Sequence, residues 1–282
     1  MLACDNVSLM HPCPNVLTVD VEDWYHVCGF DTVSAVLPQD TVRLNGNIRK
    51  ILVMLSEFNQ RATFFILGSV AESDPSLAPL IASQGHEIAS HGFSHTLVSQ
   101  LSPAQFREEI KRTDRILFEQ TGQKPVGFRA PQWSLSENRL SDFQILQEEG
   151  YLYDSSLNPL PFVGNKNGSR IPFLMKSEAG TILEFPPLVT PTFLGNFPTG
   201  GGWGFRLFPF GMITSTIQAL NSRQQPAVLY LHPREIDPAG PRLDLPLLKG
   251  FVSYGTRMDA TPRLSALLRR YRFTTLKELA LN

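Results

Sequence analysis

Cysteine is scarce. The 282-residue chain has three, Cys4, Cys13 and Cys28, all near the N-terminus and none in a C-x-x-C pair. An odd number without paired spacing argues against a disulfide framework and against a structural thiolate zinc site, so three reduced thiols in a reducing compartment are expected. An excess of one charge is also missing: 25 Lys and Arg stand against 26 Asp and Glu, a formal net charge of -1. Nothing in that balance favours nucleic acid or an anionic membrane surface as a partner. No stretch approaches the ~18 consecutive apolar residues of a membrane-spanning helix. Residues 1–14, which include Asp5, His11, Pro12 and Pro14, lack the basic-then-apolar layout of a secretory signal. The expectation is a soluble, cytoplasmic protein, at most peripheral to a membrane. Fixed-period repeats and low-complexity tracts are absent too, which excludes solenoids and fibrous folds.

What remains is ordinary globular composition, 42% hydrophobic and 18% charged, in a length that suits one large domain. The expected organisation is a tail over 1–14 and a domain over 15–282. Apolar runs read as strands at 16–21, 62–67, 86–90, 126–130, 151–154, 181–185 and 227–231. Helical spacing over 47–58 is carried by Ile48, Ile51, Leu52, Leu55 and Phe58. Further helices are expected at 76–83, 140–149, 211–221 and 262–270, with a last strand at Phe273 and a last helix from Leu276. One helix has marked ends: Ser102-Pro103-Ala104-Gln105 is a capping sequence and Gly122 a stop. Strand–helix alternation with continuous apolar strands predicts an α/β fold around a parallel sheet, closed as a distorted (β/α) barrel or left open. The Pro- and Gly-rich stretches 157–210 and 232–246 read as long loops over the active face.

Polar residues gather where apolar strands end, the positions that build active sites in parallel barrels. Asp20, Glu22 and Asp23 follow the first strand; alternation places Asp20 and Glu22 on one side, and carboxylates this close call for a cation or a shared proton. His91 and His95 are four apart, a spacing at which one helical turn would let both imidazoles share a metal. Half of the six histidines fall within 86–95; His86, at a strand start, reads as a supporting or core residue. Arg129 closes another strand and needs an acid partner, for which Asp20 is placed. His232 emerges directly after 228–231, where a general acid could sit, with Asp154 as a candidate to hold its ring. Each signal has a plain structural alternative: solvated acids, a surface histidine pair, an ion pair, a core histidine.

Taken together these segments resemble carbohydrate esterase family 4, the NodB-homology polysaccharide deacetylases, over roughly residues 15–235. Ser90-His91-Gly92-Phe93-Ser94-His95, preceded by Gly85-His86-Glu87-Ile88, is similar to the family's metal-histidine motif. Arg129-Ala130-Pro131 resembles its arginine motif, Asp154-Ser155 its later acidic motif, and His232 its last histidine. The first motif departs from the family's adjacent aspartate pair: here it is Asp20-Val21-Glu22-Asp23. Asp20 as base with Glu22 as ligand is the favoured mapping, and Glu22 as base with Asp23 as ligand the other. Residues 20–24, 200–206 and 231–237 resemble a narrower branch found with exosortase and exopolysaccharide loci, with 236–282 as its C-terminal extension.

The resemblance implies an N-deacetylase acting on amino sugars of a bacterial exopolysaccharide or its precursor, in contact with the synthesis machinery. It implies a divalent metal, zinc, held by His91, His95 and Glu22 or Asp23. Asp20 would be the base, Arg129 its support, His232 the acid and Asp154 the support of His232. Trp133 and Trp203 are expected to stack on sugar rings, Trp203 as a flexible lip between glycines. Two rival readings remain: a same-fold hydrolase of cyclic amides or ureides, and a non-catalytic carbohydrate-binding relative.

Overall fold

A computed structural model describes residues 13–27 and 41–281. Cys4, Cys28 and residues 1–12 of the tail lie outside the described residues; Cys13 is a free thiol. Strands and helices alternate from the start: β1 (Asn15–Val21), α1 (Thr41–Glu57), β2 (Thr63–Ile66), the short α2 (Gly68–Ser73) and α3 (Leu77–Ser83), then β3 (Glu87–Ser90). There follow α4 (Pro103–Thr121), β4 (Gly127–Phe128), α5 (Leu140–Glu148) and β5 (Tyr153–Asp154). Next come the hairpin β6 (Phe173–Ser177) and β7 (Gly180–Glu184), a smaller hairpin β8 (Thr190–Thr192) and β9 (Gly195–Phe197), α6 (Gly202–Leu207), α7 (Phe210–Asn221) and β10 (Val228–Leu231). The chain closes with α8 (Leu247–Tyr254), α9 (Thr261–Arg270), β11 (Phe273–Thr274) and α10 (Leu276–Leu281).

One sheet runs β10-β1-β2-β3-β4-β5-β7-β6, and β11 pairs with the first two residues of β1. All pairings are parallel except the β6–β7 hairpin. Among the described residues the two ends of this path do not pair, so the distorted barrel is a curled half-barrel. Strands β1 to β5 are buried on both faces, which is why the longer ones read as unbroken apolar runs. Along β1, Leu17, Val19 and Val21 pack with Ile48, Ile51 and Leu55 of α1 and with Ile213 and Ile217 of α7. Val16 points the other way, into a cluster with Phe65, Tyr153 and Phe185. Alternation then carries Thr18 and Asp20 into the concave interior.

The helix ends follow local chemistry. Ser102 Oγ accepts from the Gln105 N–H and the Gln105 side chain accepts from the Ser102 N–H, a reciprocal cap worth about 1 kcal/mol. Gly122, at φ +70°, closes α4. Several strands are shorter than their sequence suggests, β4 the most. β4 stops at Phe128 because the Ala130 N–H leaves the ladder for Ser156 Oγ at 2.8 Å. The stretch 157–210 is not one long loop: β6 to β9 and α6 lie within it. Its strands are only three to five residues long and partly exposed, so their alternation is faint. The glycine run at 200–202 has a packing reason. A Cβ on Gly201 would come within 2.3 Å of the Tyr230 carbonyl oxygen, so only glycine lets this segment lie against β10.

Candidate active site

The site lies at the C-terminal ends of β1, β3, β4 and β10. Asp20, in the last turn of β1, receives Arg129 Nη1 at 2.7 Å. Arg129 is 1% exposed, and all three of its nitrogens are engaged: Nη1 also reaches Thr18 Oγ1, Nε donates to the Ser155 carbonyl, and Nη2 donates to Ser155 Oγ. Its guanidinium lies 4.3 Å over the Phe65 ring. An arginine buried this way is tolerable because all three nitrogens have acceptors and Asp20 matches the charge.

Glu22 follows the end of β1, its N–H bonded back to the Asp20 carbonyl. Its Oε1 lies 3.0 Å from His91 Nε2 and 3.0 Å from His95 Nε2. All three residues are buried, and their ligand atoms fall within 4.8 Å of one another. Oε2 accepts from Arg234 Nη1 at 2.9 Å. Burial alone would raise the Glu22 carboxyl, but His95, His232, Arg234 and the bond from His91 outweigh it and hold it well below the usual carboxylate range. Asp23 is not in that group: its Oδ1 accepts from the Trp24 N–H at 2.7 Å, and its own N–H donates to His26 Nδ1. Burial first, then the charge of His95, pushes His26 down to about 3, so it is a neutral acceptor.

The two histidines meet through a loop, not the helical turn their spacing suggests. His91 leaves β3 directly, Gly92 has φ +75° and His95 φ +63°. Glu109 of α4 shapes this turn by accepting from the N–H groups of both Phe93 and Ser94 at 2.8 Å. His91 Nδ1 lies 2.7 Å from the Arg129 carbonyl. A carbonyl only accepts, so Nδ1 carries the hydrogen and Nε2 is turned toward Glu22 as a ligand atom. Ligands of one tetrahedral cation at bond lengths of about 2.0–2.2 Å stand roughly 3.3–3.5 Å apart, within a few tenths of the separations here. The N,N,O donor set therefore fits a divalent cation.

His232 follows β10, with Nε2 at 3.8 Å from Asp20 Oδ2 and 3.7 Å from Glu22 Oε2. The expected support from Asp154 is corrected: Glu235 holds this ring, its Oε1 2.7 Å from Nδ1. The two residues share one turn, in which the Glu235 side chain also caps the His232 N–H. Arg206 Nε of α6 stands 3.7 Å from Glu235 Oε2. Burial raises the Glu235 carboxyl, but the bond from His232 and the charge of Arg206 bring it below its usual range. Asp154 instead lies under the site, fully buried, bonded to Ser156 Oγ at 2.6 Å. Burial beside Glu184 raises both carboxyls, so this pair retains a proton. Through Ser156 on the Ala130 N–H, and Ser155 on Arg129, this segment props the arginine loop.

A cleft of about 120 Å³ joins these groups and is walled by Trp133, Trp203 and Tyr230. Trp133, at φ +57°, packs edge-on against Tyr230. Trp203 is not a flexible lip. It sits in α6, half-buried against Phe208 and Phe251. His86 is remote, at the start of β3, where its Nδ1 faces the Ala62 N–H. Sequence reasoning missed His26, Glu109 and the support role of Glu235. Only Glu235 left a readable trace, as the third residue after a histidine-capped turn.

Comparison with known proteins places residues 28–151 on the polysaccharide deacetylase family model and residues 155–281 on a domain of unknown function, DUF3473. The peptidoglycan-N-acetylglucosamine deacetylase of Bacillus cereus is 36% identical over 103 residues, 35% of this chain and 38% of that protein. The chain thus spans well under half the length of that relative. Among solved structures, a polysaccharide deacetylase from Mycobacterium smegmatis superposes with a TM-score of 0.65 at 22% identity, over 96% of this chain and 89% of the other. The PuuE allantoinase superposes at 0.63 and 17% identity, over 95% and 89%. At these identities the likeness is one of fold.

Proposed function

We propose that the chain hydrolyses N-acetyl groups on amino sugars of a glycan, with a divalent cation held by Glu22, His91 and His95; the match of residues 28–151 to the polysaccharide deacetylase model and of residues 155–281 to DUF3473 supports this. The observation that carries this reading is the convergence of that donor set with an arginine-bound aspartate and a glutamate-bound histidine in one cleft. Zinc suits a donor set of two imidazoles and one carboxylate. A bound cation supplies Lewis acidity to the acetamide carbonyl and lowers the pKa of water.

The chain's own residues do the rest. Asp20 Oδ1 is occupied by Arg129, leaving Oδ2 as the atom that takes a proton from the attacking water. Arg129 fixes the position of that carboxylate. His232 Nε2 delivers a proton to the amine nitrogen as the C–N bond breaks, since an amide anion is a poor leaving group. Glu235 fixes the Nδ1–H tautomer and leaves Nε2 facing the cleft. The products are acetate and a free amino sugar. The resemblance of residues 20–24, 200–206 and 231–237 to the exopolysaccharide-locus branch supports a bacterial exopolysaccharide or its precursor as substrate, handled alongside the synthesis machinery.

The test is acetate release from an N-acetylated oligosaccharide, with allantoin as counter-substrate. Release that stops with a chelator, returns with Zn²⁺ and is lost in His232→Ala is expected. Chelator-insensitive release, or turnover of allantoin alone, would overturn the proposal.

A further inference from the structure

Helix α8 shows solvent the side chains that a surface helix ordinarily buries. Leu247, Leu248, Phe251 and Val252 are 94%, 76%, 37% and 43% exposed. Spaced i, i+1, i+4 and i+5, they share one stripe of the helix, while Ser253 and Tyr254 are buried. The inner side is held firmly. Arg206 donates to the Tyr254 and Thr256 carbonyls at 2.8 and 2.9 Å, and the Tyr254 hydroxyl donates to the Trp24 carbonyl at 3.2 Å. Gly255, at φ +61°, ends the helix, and a Cβ there would come within 2.5 Å of Trp203 Cβ. The outward stripe is therefore a fixed feature of the surface. It also reaches the catalytic cleft: Phe251 packs on Trp203 with ring centres 5.2 Å apart, and Trp203 and Val252 both line the cleft.

The charges around the stripe indicate what covers it. The chain as a whole is close to neutral, but residues 242–257 carry Arg242, Lys249 and Arg257 against one acid, Asp244. Asp259, just beyond, accepts from the Thr261 N–H at 2.8 Å. Among the described residues no ion pair engages Arg242 or Arg257. Arg242 lies 5.3 Å over the Tyr254 ring, against α8. Burial, then the charges of Arg257 and Arg206, lower its guanidinium from the ordinary value. Cations beside a stripe of Leu, Phe and Val match a surface that is anionic outside and hydrocarbon inside. A second copy of the chain meeting this face about a two-fold axis would instead bring two cationic segments together. With eight residues, α8 is roughly 12 Å long, against ~30 Å for a hydrocarbon core, so it suits lying along a bilayer and not crossing it.

We propose that α8 docks the protein on an anionic lipid surface, with Leu247, Leu248, Phe251 and Val252 among the acyl chains and Arg242, Lys249 and Arg257 at the level of the phosphates. The docking stands apart from the deacetylase reading. Its consequence rests on that reading: the cleft opens beside the bilayer, and the N-acetyl sugar it acts on is one held at a membrane.

The test is co-sedimentation of the full chain with vesicles of equal parts phosphatidylglycerol and phosphatidylcholine. Binding should be at least about tenfold weaker to phosphatidylcholine alone, and should weaken as salt rises. Leu247→Ser with Leu248→Ser should weaken it at least about tenfold, with Tm and acetate release from a soluble oligosaccharide unchanged, because both side chains are exposed and neither lines the cleft. Arg242→Gln with Arg257→Gln should remove the preference for phosphatidylglycerol. Leu248→Trp should gain fluorescence that brominated acyl chains quench. Absence of vesicle binding, or equal binding by the double serine variant, would overturn the docking. So would a concentration-dependent dimer that the serine variant abolishes, since the face would then belong to a second copy. Acetate release without vesicle binding overturns the docking alone. Vesicle binding without acetate release overturns the hydrolytic reading alone.

Discussion

Glu235→Gln isolates the part of the site that belongs to leaving-group protonation. The carboxylate sits 2.7 Å from His232 Nδ1, 2% exposed, with Arg206 as its outer neighbour. Glutamine keeps the shape and an oxygen for Nδ1–H, but removes the negative charge beside the ring. A hydrogen bond to a charged group contributes about 1.5–3 kcal/mol, which is roughly a 10- to 100-fold fall in kcat if it is felt only when the ring is charged. Metal content should not change, because the Glu235 side chain bonds to His232 and to none of Glu22, His91 or His95. The deciding assay compares two substrates: an N-acetylated oligosaccharide, whose amine must be protonated to leave, and 4-nitrophenyl acetate, whose phenolate leaves without help. The variant should lose rate on the amide and keep most of it on the ester. Equal losses on both would refute the argument and assign Glu235 to general packing of the turn.

Two further outcomes follow from the same geometry. His91→Ala should lower both bound metal, read by elemental analysis, and acetate release; full metal content in the variant would remove His91 from the ligand set. Asp114→Asn should stabilise the fold at neutral pH, because burial raises the Asp114 carboxyl from 3.8 to about 6 even though Tyr151 donates to it at 2.6 Å. Below pH 3.8 both folded and unfolded chains hold the proton and nothing is lost; above pH 6 both are ionised and the folded state carries the whole cost, ~3 kcal/mol. The gain in Tm should therefore be absent near pH 4, grow through pH 4–6 and level off above; a gain independent of pH would contradict this.

Much of the frame was legible because strands buried on both faces leave unbroken apolar runs, and because a charged residue at the end of such a run has few structural reasons to be there. Asp20, Arg129, His91 and His232 were visible on that ground, and the structure brings all four to one cleft. Partners supplied across the fold were not visible. Arg206 reaches Glu235 from a segment whose short strands and glycines gave no periodicity to follow. Asp154 misled for a related reason: it ends a strand like the others, but its carboxyl turns down onto Ser156 and Glu184 rather than up into the cleft. The His91–His95 spacing pointed to a helical turn, yet Glu109, fourteen residues beyond His95, dictates a loop. Spacing within a segment was readable; the side chain that decides the segment's shape lay elsewhere.

The two matched segments form one physical unit. β1 carries Asp20, and its flank is supplied from the far end of the chain: β10 pairs with it from Val16 to Val19, and β11 pairs with Asn15 and Val16. The Leu276 N–H at the start of α10 donates to Thr63 Oγ1 of β2, tying the last helix to the second strand. The same late segment supplies Ser155 to Arg129, Arg234 to Glu22, and the His232–Glu235–Arg206 cluster. Remove it and β1 loses a neighbour along four residues, Arg129 loses half of its side-chain hydrogen bonds, and the cleft loses His232. Residues 155–281, of unknown function as a family, are thus the part of this fold that flanks β1 and completes the cleft around Asp20, Glu22, His91 and His95. A substitution in the core of that late segment, away from the cleft, acts on the site through the contacts that join the two segments: the β1–β10 pairing, Ser155 on Arg129, Ser156 on Ala130 and Arg234 on Glu22.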